Sequence, residues 1–142
     1  MAEVKKTDLG WSYIEYQVNK ICKDIDTAKY DVVVGISRGG LIPAVMISHK
    51  LKLPLLTMTV TLRDNLARVQ SLKIKKGEKA LVVDDINDSG NTLTMISEFF
   101  KTRHIHAGYA VLQNKLSRNF SVDYYGTLQD NDNWINFPWE NK

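Results

Sequence analysis

One cysteine, three prolines and eight glycines are all that these 142 residues hold of the types that dominate bridge-stapled, collagenous or low-complexity chains. Cys22 has no internal disulfide partner, which excludes the framework of a small secreted protein. Apolar runs are short as well. None approaches the roughly 20 residues that span a bilayer, and the opening MAEVKKTDLG lacks the apolar stretch of a secretory signal. The expectation is a soluble protein of the reducing cytoplasm, with no stable membrane insertion. Internal repeats and Ser/Gly/Pro-rich linkers are also missing. What remains, 44% hydrophobic and 25% charged, is a globular balance. A chain of this size buries roughly two thirds of its unfolded surface without help from metals or disulfides. One domain over residues 1–142 is expected.

Charge is unevenly spread within a net +3. Between Leu62 and Lys79, six cations (Arg63, Arg68, Lys73, Lys75, Lys76, Lys79) face only Asp64 and Glu78. Such a segment either serves an anionic ligand or is a solvated loop. It is a poor nucleic-acid footprint, because no aromatics interleave with the cations and no helix-turn-helix or zinc-finger spacing occurs. No nucleic-acid partner is expected.

Trp11, Ile14, Val18, Ile21, Cys22 and Ile25 recur at helical spacing, predicting an amphipathic helix over 9–27 with Cys22 on its buried face. YDVVVGI (30–36) and KALVV (79–83) read as strands buried on both faces of a parallel sheet. Helices are predicted at about 41–51, where Pro43 sits harmlessly in the first turn, and at about 91–102. Further strands are predicted at 55–62, 106–112 and 120–126, with the basic segment as a loop. The order is that of an α/β protein, a mainly parallel twisted sheet flanked by helices.

In such sheets ligands bind beyond the carboxyl ends of the strands, and two of these junctions carry chemistry. Gly35-Ile36-Ser37-Arg38-Gly39-Gly40 offers close backbone approach, consecutive N–H groups, a helix N-terminus and one cation, a combination suited to phosphate or pyrophosphate. It is neither a dinucleotide fingerprint nor a P-loop. The second junction, LVVDDINDSGNTL (81–93), places Asp84, Asp85 and Asp88 where a buried strand ends. Three carboxylates there repel one another and call for cations or hydroxyls. Asp88, Ser89, Gly90, Asn91 and Thr92 then supply an N-cap and free N–H groups for a phosphate. Together they describe a site for a phosphorylated ribose with Mg²⁺.

An apolar strand, two acidic residues, two variable positions and Asp-Ser-Gly-Asn-Thr resembles the signature of the type I phosphoribosyltransferases. The GISRGGLIPA and NWINFPWE stretches are most similar to the bacterial xanthine-guanine branch of that family. The resemblance implies that Asp84 and Asp85 contact the ribose hydroxyls of phosphoribosyl pyrophosphate and the metal, that residues 88–92 hold its 5′-phosphate, and that Ser37, Arg38, Gly39 and Gly40 hold pyrophosphate with Mg²⁺. It also implies that the segment around 62–76 is a flexible hood and that the protein is a homo-oligomer, dimer or tetramer. Departures are Asn87, where an apolar residue is usual, and Asn91, where Gly or Lys is common. No roles are assigned to Arg63, Arg68, Lys73 or Glu140.

Lys115, following a strand, can only donate hydrogen bonds, so it fits the 6-oxo and N7 acceptors of guanine, xanthine or hypoxanthine and conflicts with adenine's 6-amino group. Trp134 offers a face for stacking a purine, and Ile135 offers backbone groups for the 2-position. Trp11 and Trp139 are assigned to packing. The expected activity is transfer of a 5-phosphoribosyl group to a 6-oxopurine, with Arg38 on the departing pyrophosphate and Asp88 taking the base proton from N7. The alternatives are a phosphoribosyl-pyrophosphate-sensing regulator that binds nucleic acid, and a pyrimidine or orotate transferase.

Overall fold

The computed structural model describes residues 4–63, 66–70, 73–116 and 119–140, with side chains excepted from 62 to 70. Its elements are β1 (Lys6–Asp8), α1 (Trp11–Asp24), β2 (Val32–Ser37), α2 (Leu41–Leu51), β3 (Leu55–Arg63), β4 (Leu66–Gln70), β5 (Lys79–Asn87), α3 (Asn91–Thr102), β6 (His106–Lys115), β7 (Tyr124–Gln129) and β8 (Trp134–Asn136). Six strands form one sheet in the order β4-β3-β2-β5-β6-β7. Every neighbouring pair is parallel except β3–β4. The short β1 and β8 make a separate parallel pair.

The central strands are apolar throughout because both of their faces are covered. On one side Ile14, Val18 and Ile21 of α1 and Ala44 and Ile47 of α2 pack on Val33, Leu81, Val83, Ala110 and Leu112. On the other, Leu93, Ile96 and Phe100 of α3 pack on Val34, Val82 and Val111. From β2 the chain crosses through α2 to β3 on one side, and from β5 it crosses through α3 to β6 on the other. The strand order therefore reverses between β2 and β5, and a crevice opens at their carboxyl ends. Both chemically loaded junctions lie at that crevice.

Several expectations need correction. Strand β5 does not stop at Val83 but continues through both aspartates to Asn87, since pairing with β6 persists as far as Asn87↔Asn114. Strand β6 likewise runs on to Lys115, which closes the strand rather than following it. The 120–126 strand begins only at Tyr124. Residues 62–63 and 66–70 of the basic segment are not loop but strand, in the antiparallel β3–β4 pair. The side chains of Arg63 and Arg68 lie outside the described residues, so the hood reading lies largely outside them too. Trp11 is 53% exposed although it meets Trp139, ring centroids 5.9 Å apart. Cys22 is half-buried against the α1–α2 core. Among the described residues no helix is long and apolar enough to cross a membrane.

Candidate active site

The Ser37–Gly40 turn and the aspartate pair are in direct contact. A Cβ added to Gly39 would run into the Asp85 carboxylate, and one added to Gly40 would strike the Val83 carbonyl and lie 2.9 Å from Asp84 Cα. Glycine is required at 40, where the new atom would meet only backbone of β2 and β5, whereas at 39 it would displace the Asp85 carboxylate. The Ser37–Arg38 peptide bond is cis. Arg38 is exposed at the mouth of the crevice, and α2 starts immediately behind it.

The pleat of β5 loses phase at the aspartates. Leu81 and Val83 face the α1–α2 core and Ile86 packs on that same side. Local bonds hold the kinked stretch: Asp85 N–H donates to Asp84 Oδ1 at 2.9 Å, and Ile86 N–H donates to Asp85 Oδ1 at 2.8 Å. Asp84 is only 9% exposed. Burial and then the neighbouring Asp85 charge hold its carboxyl well above the usual range, and burial raises Asp85 as well, against the opposing hydrogen bonds. Among the described residues no lysine or arginine reaches either carboxylate. A buried and a half-buried carboxyl without a cation form a site that gains from an incoming positive charge.

Beyond them Asp88, Ser89, Gly90 and Thr92 line a cavity of about 220 Å³. Gly90 occupies the cap position of α3 at φ +85° and has no side chain to cap the helix itself. The first turn of α3 therefore keeps N–H groups for a ligand. Ser89 Oγ accepts from Asn91 N–H at 3.2 Å. Gly90 is fixed from behind as well, since a Cβ there would lie 2.9 Å from Phe120 N. Asn87 explains that approach: its Nδ2 donates to Asn114 Oδ1 and to the Phe120 carbonyl, each at 3.0 Å. The departure from an apolar residue at 87 thus ties the cavity floor to the β6–β7 connection. Asn114 and Phe120 were not foreseen, and only the buried amide at 87 hinted at them.

Lys115 Nζ lies 3.1 Å from Asp88 Oδ1, joining β6 to the cavity rim. Trp134 is 59% exposed and Ile135 is buried. Trp134 N–H donates to Lys5 O and Asn136 O accepts from Leu9 N–H. The intervening main chain of Ile135 therefore points to the edge away from β1. A larger cleft of about 450 Å³, between β7, β8 and the start of α1, touches none of residues 84–92. It has volume but not the charged groups of the crevice.

The model of the phosphoribosyl transferase domain matches residues 10–141. Xanthine-guanine phosphoribosyltransferase of Chromohalobacter salexigens is 31% identical over 138 residues, covering 93% of this chain and 82% of that one. The protein of the same name from Cereibacter sphaeroides is 33% identical over 124 residues, covering 81% and 72%. The crystal structure of a purine phosphoribosyltransferase from Pyrococcus horikoshii superposes with a TM-score of 0.82 at 30% identity, covering 97% and 95%.

Proposed function

The chain belongs to the phosphoribosyl transferase domain family, and from that premise we propose that it moves the 5-phosphoribosyl group of phosphoribosyl pyrophosphate to a 6-oxopurine base and releases pyrophosphate. The carrying observation is the contact of Gly39 and Gly40 with the Asp84–Asp85 segment. The turn, the two carboxylates and the cavity at the start of α3 thus adjoin one another, which supports a reading in which they take the pyrophosphate, the ribose and the 5′-phosphate in turn.

In this reading the 5′-phosphate sits on the N–H groups of Gly90 and Thr92, and Asp84 and Asp85 fix the ribose through its hydroxyls. Ser37, Arg38, Gly39 and Gly40 hold the pyrophosphate, and the Arg38 guanidinium takes up the charge that develops as the anomeric C–O bond breaks. A base nitrogen forms the new bond to the anomeric carbon as that bond opens. The base proton leaves from N7 to Asp88. Lys115 donates to the 6-oxo oxygen while the N7 proton faces Asp88, Trp134 stacks on the ring, and the Ile135 main chain reads the 2-position. Holding both reactants in line supplies much of the rate.

Mg²⁺ fits the aspartate pair. Asp84 is buried and Asp85 half-buried, the two are adjacent and without a cationic partner among the described residues, and no cluster of three or more His, Cys, Asp or Glu groups occurs among them. A site of one or two carboxylates suits an ion that takes its remaining ligands from substrate oxygens and water. When bound, Mg²⁺ neutralises charge on the pyrophosphate. A cytoplasmic homo-oligomer, dimer or tetramer, completes the reading, supported by the half-exposed Trp11, Tyr16 and Val45 and checked by sedimentation.

Initial rates of pyrophosphate release with guanine, xanthine, hypoxanthine, adenine and orotate, each with and without Mg²⁺, test the proposal. Turnover of the oxopurines is expected only with Mg²⁺. Turnover of orotate alone, or of no base, overturns it.

A further inference from the structure

Three buried glutamines connect α1 to the strand that carries Trp134 and Ile135. Gln17, Gln113 and Gln129 are 0%, 3% and 5% exposed. Gln17 Nε2 donates to Gln113 Oε1 at 2.6 Å, and Gln113 Nε2 donates to Gln129 Oε1 at 3.1 Å. Gln129 Nε2 then faces three oxygens at 3.0–3.1 Å, the Asn131 carbonyl, Asn131 Oδ1 and the Asn133 carbonyl.

The polarity of this chain of amides is fixed at both ends: Gln17 Nε2 also donates to the Leu112 carbonyl and to Thr127 Oγ1, each at 3.0 Å. Three acceptors in the 131–133 turn admit only the amino group of Gln129, so its Oε1 must face Gln113, and the same choice passes back to Gln17. The consequence is a cost at the other end. Gln17 Oε1 is buried with no hydrogen-bond partner among the described residues. Its neighbours on that helix face, Ile14, Val18 and Ile21, are apolar, but an apolar residue at 17 would take the donor away from the buried Leu112 carbonyl and Gln113 Oε1, so the amide ties α1 to β6 despite the unsatisfied oxygen.

The relay also orders the turn that precedes Trp134. Asn131 Oδ1 also accepts from Asn133 N–H at 3.0 Å, and Asn133 Nδ2 donates to Thr7 Oγ1 at 3.2 Å. The turn leading into Trp134 is thus held by Gln129 on one side and by β1 on the other. Gln129 also lies opposite Lys115 in the sheet register, with its carbonyl accepting from Leu116 N–H. One residue adjoins both halves of the base site.

We propose that the relay Gln17–Gln113–Gln129 fixes the 131–135 segment and thereby sets the affinity for the purine base, with Gln129 as the positioning residue. The inference rests on the reading that Trp134 and Ile135 hold the base. Gln129→Met in the full-length protein keeps side-chain length but neither donates nor accepts. The KM for guanine is expected to rise about tenfold, the scale of losing one buried hydrogen-bonded link, while kcat and the KM for phosphoribosyl pyrophosphate change less than about twofold. In the ligand-free protein, amide exchange at Asn133 and Trp134 should quicken by about the same factor. Gln129→Glu, which still accepts from Gln113 but turns a carboxylate toward three oxygens, should shift both readouts further. Asn131→Ala, at the exposed end, should move them in the same direction and serves if the core variants do not fold. Unchanged exchange at 133–134, or a parallel rise of both KM values, overturns the relay. A wild-type protein inactive on every oxopurine overturns the functional reading instead, and the exchange measurement then decides the relay by itself.

Discussion

Lys115 and Asp88 form an ion pair, Nζ to Oδ1 at 3.1 Å, in which the lysine side chain is 11% exposed and the aspartate 59%. A pair so open on one side contributes at most about 1 kcal/mol to stability, so its importance is positional. It aims the ammonium at the cavity rim while leaving donors for a base, and it sets the proposed proton acceptor next to the proposed base reader.

Asp88→Asn is expected to lower kcat by about 10²-fold, the scale of a lost general base, with the KM for phosphoribosyl pyrophosphate unchanged. The amide keeps an oxygen but neither takes a proton as a carboxylate does nor holds Lys115 by charge. Steady-state kinetics separate the two roles. An unchanged kcat with a raised KM for guanine would show that Asp88 only positions Lys115. The losses in Asp88→Asn and Lys115→Ala should combine to less than their sum in the double variant, as expected of residues in contact.

The aspartate pair should be indispensable. Asp84→Asn together with Asp85→Asn is expected to reduce kcat/KM by at least about 100-fold, or about 2.7 kcal/mol of transition-state stabilisation. Circular dichroism should show the fold retained. A folded double variant with most of its activity would remove these residues from the mechanism.

The same pair sets a pH dependence with a definite sign. Both carboxyls are raised in the folded protein above the ordinary value of 3.8, so the folded state binds more protons than the unfolded one. Their contribution to stability is complete below pH 3.8 and is lost as pH rises through the raised values. Without Mg²⁺, the wild type should therefore lose thermal stability relative to Asp84→Asn as pH climbs from about 4 to 8. Adding Mg²⁺ should restore the wild type and not the variant. Parallel melting curves across that range, with and without the metal, would contradict this account.

The elements that shape this crevice were legible where residues state their surroundings twice. Helices 41–51 and 91–102 are predicted and found at those bounds, because Gly-rich starts and apolar periodicity agree. The aspartates stood out because nothing in packing accounts for them. What sequence did not disclose depends on partners distant along the chain. Strands β1 and β8 are three residues each and exist only through each other. The continuation of β5 through Asp84 and Asp85 follows from pairing with β6, which overrides the low strand propensity of aspartate. Gln17 and Gln129 look like ordinary surface residues until the fold brings α1 beside β7.

Gly40→Ala should be costly and Gly10→Ala neutral. The new Cβ at 40 would meet only backbone, Val83 O, Asp84 Cα and Ile36 O, and none of these can step aside without moving β2 or β5. A loss of about 1–3 kcal/mol, as for overpacking, is expected, along with weakened binding of phosphoribosyl pyrophosphate. Gly10 has nothing within 4 Å of its Cβ position and a negative φ. Urea unfolding of both variants checks the contrast, and equal stability would show that the turn does not bear on β5 as described.

Base preference should run guanine, xanthine and hypoxanthine well above adenine. Lys115, mostly buried and held by Asp88, has donors only, and adenine offers it an amino group where the oxopurines offer oxygen. A site built on a buried polar contact rejects an analogue lacking it by up to about 10⁴-fold, whereas shape alone gives about 10². Lys115→Ala should depress activity on all three oxopurines and narrow their margin over adenine. Trp134→Ala should weaken every purine alike, because an exposed ring that stacks on a base does not distinguish a 6-oxo from a 6-amino group. kcat/KM for four bases on the wild type and both variants tests each part separately. Adenine turned over as fast as guanine by the wild type would refute the role of Lys115 while leaving the ribose-phosphate site of residues 84–92 intact.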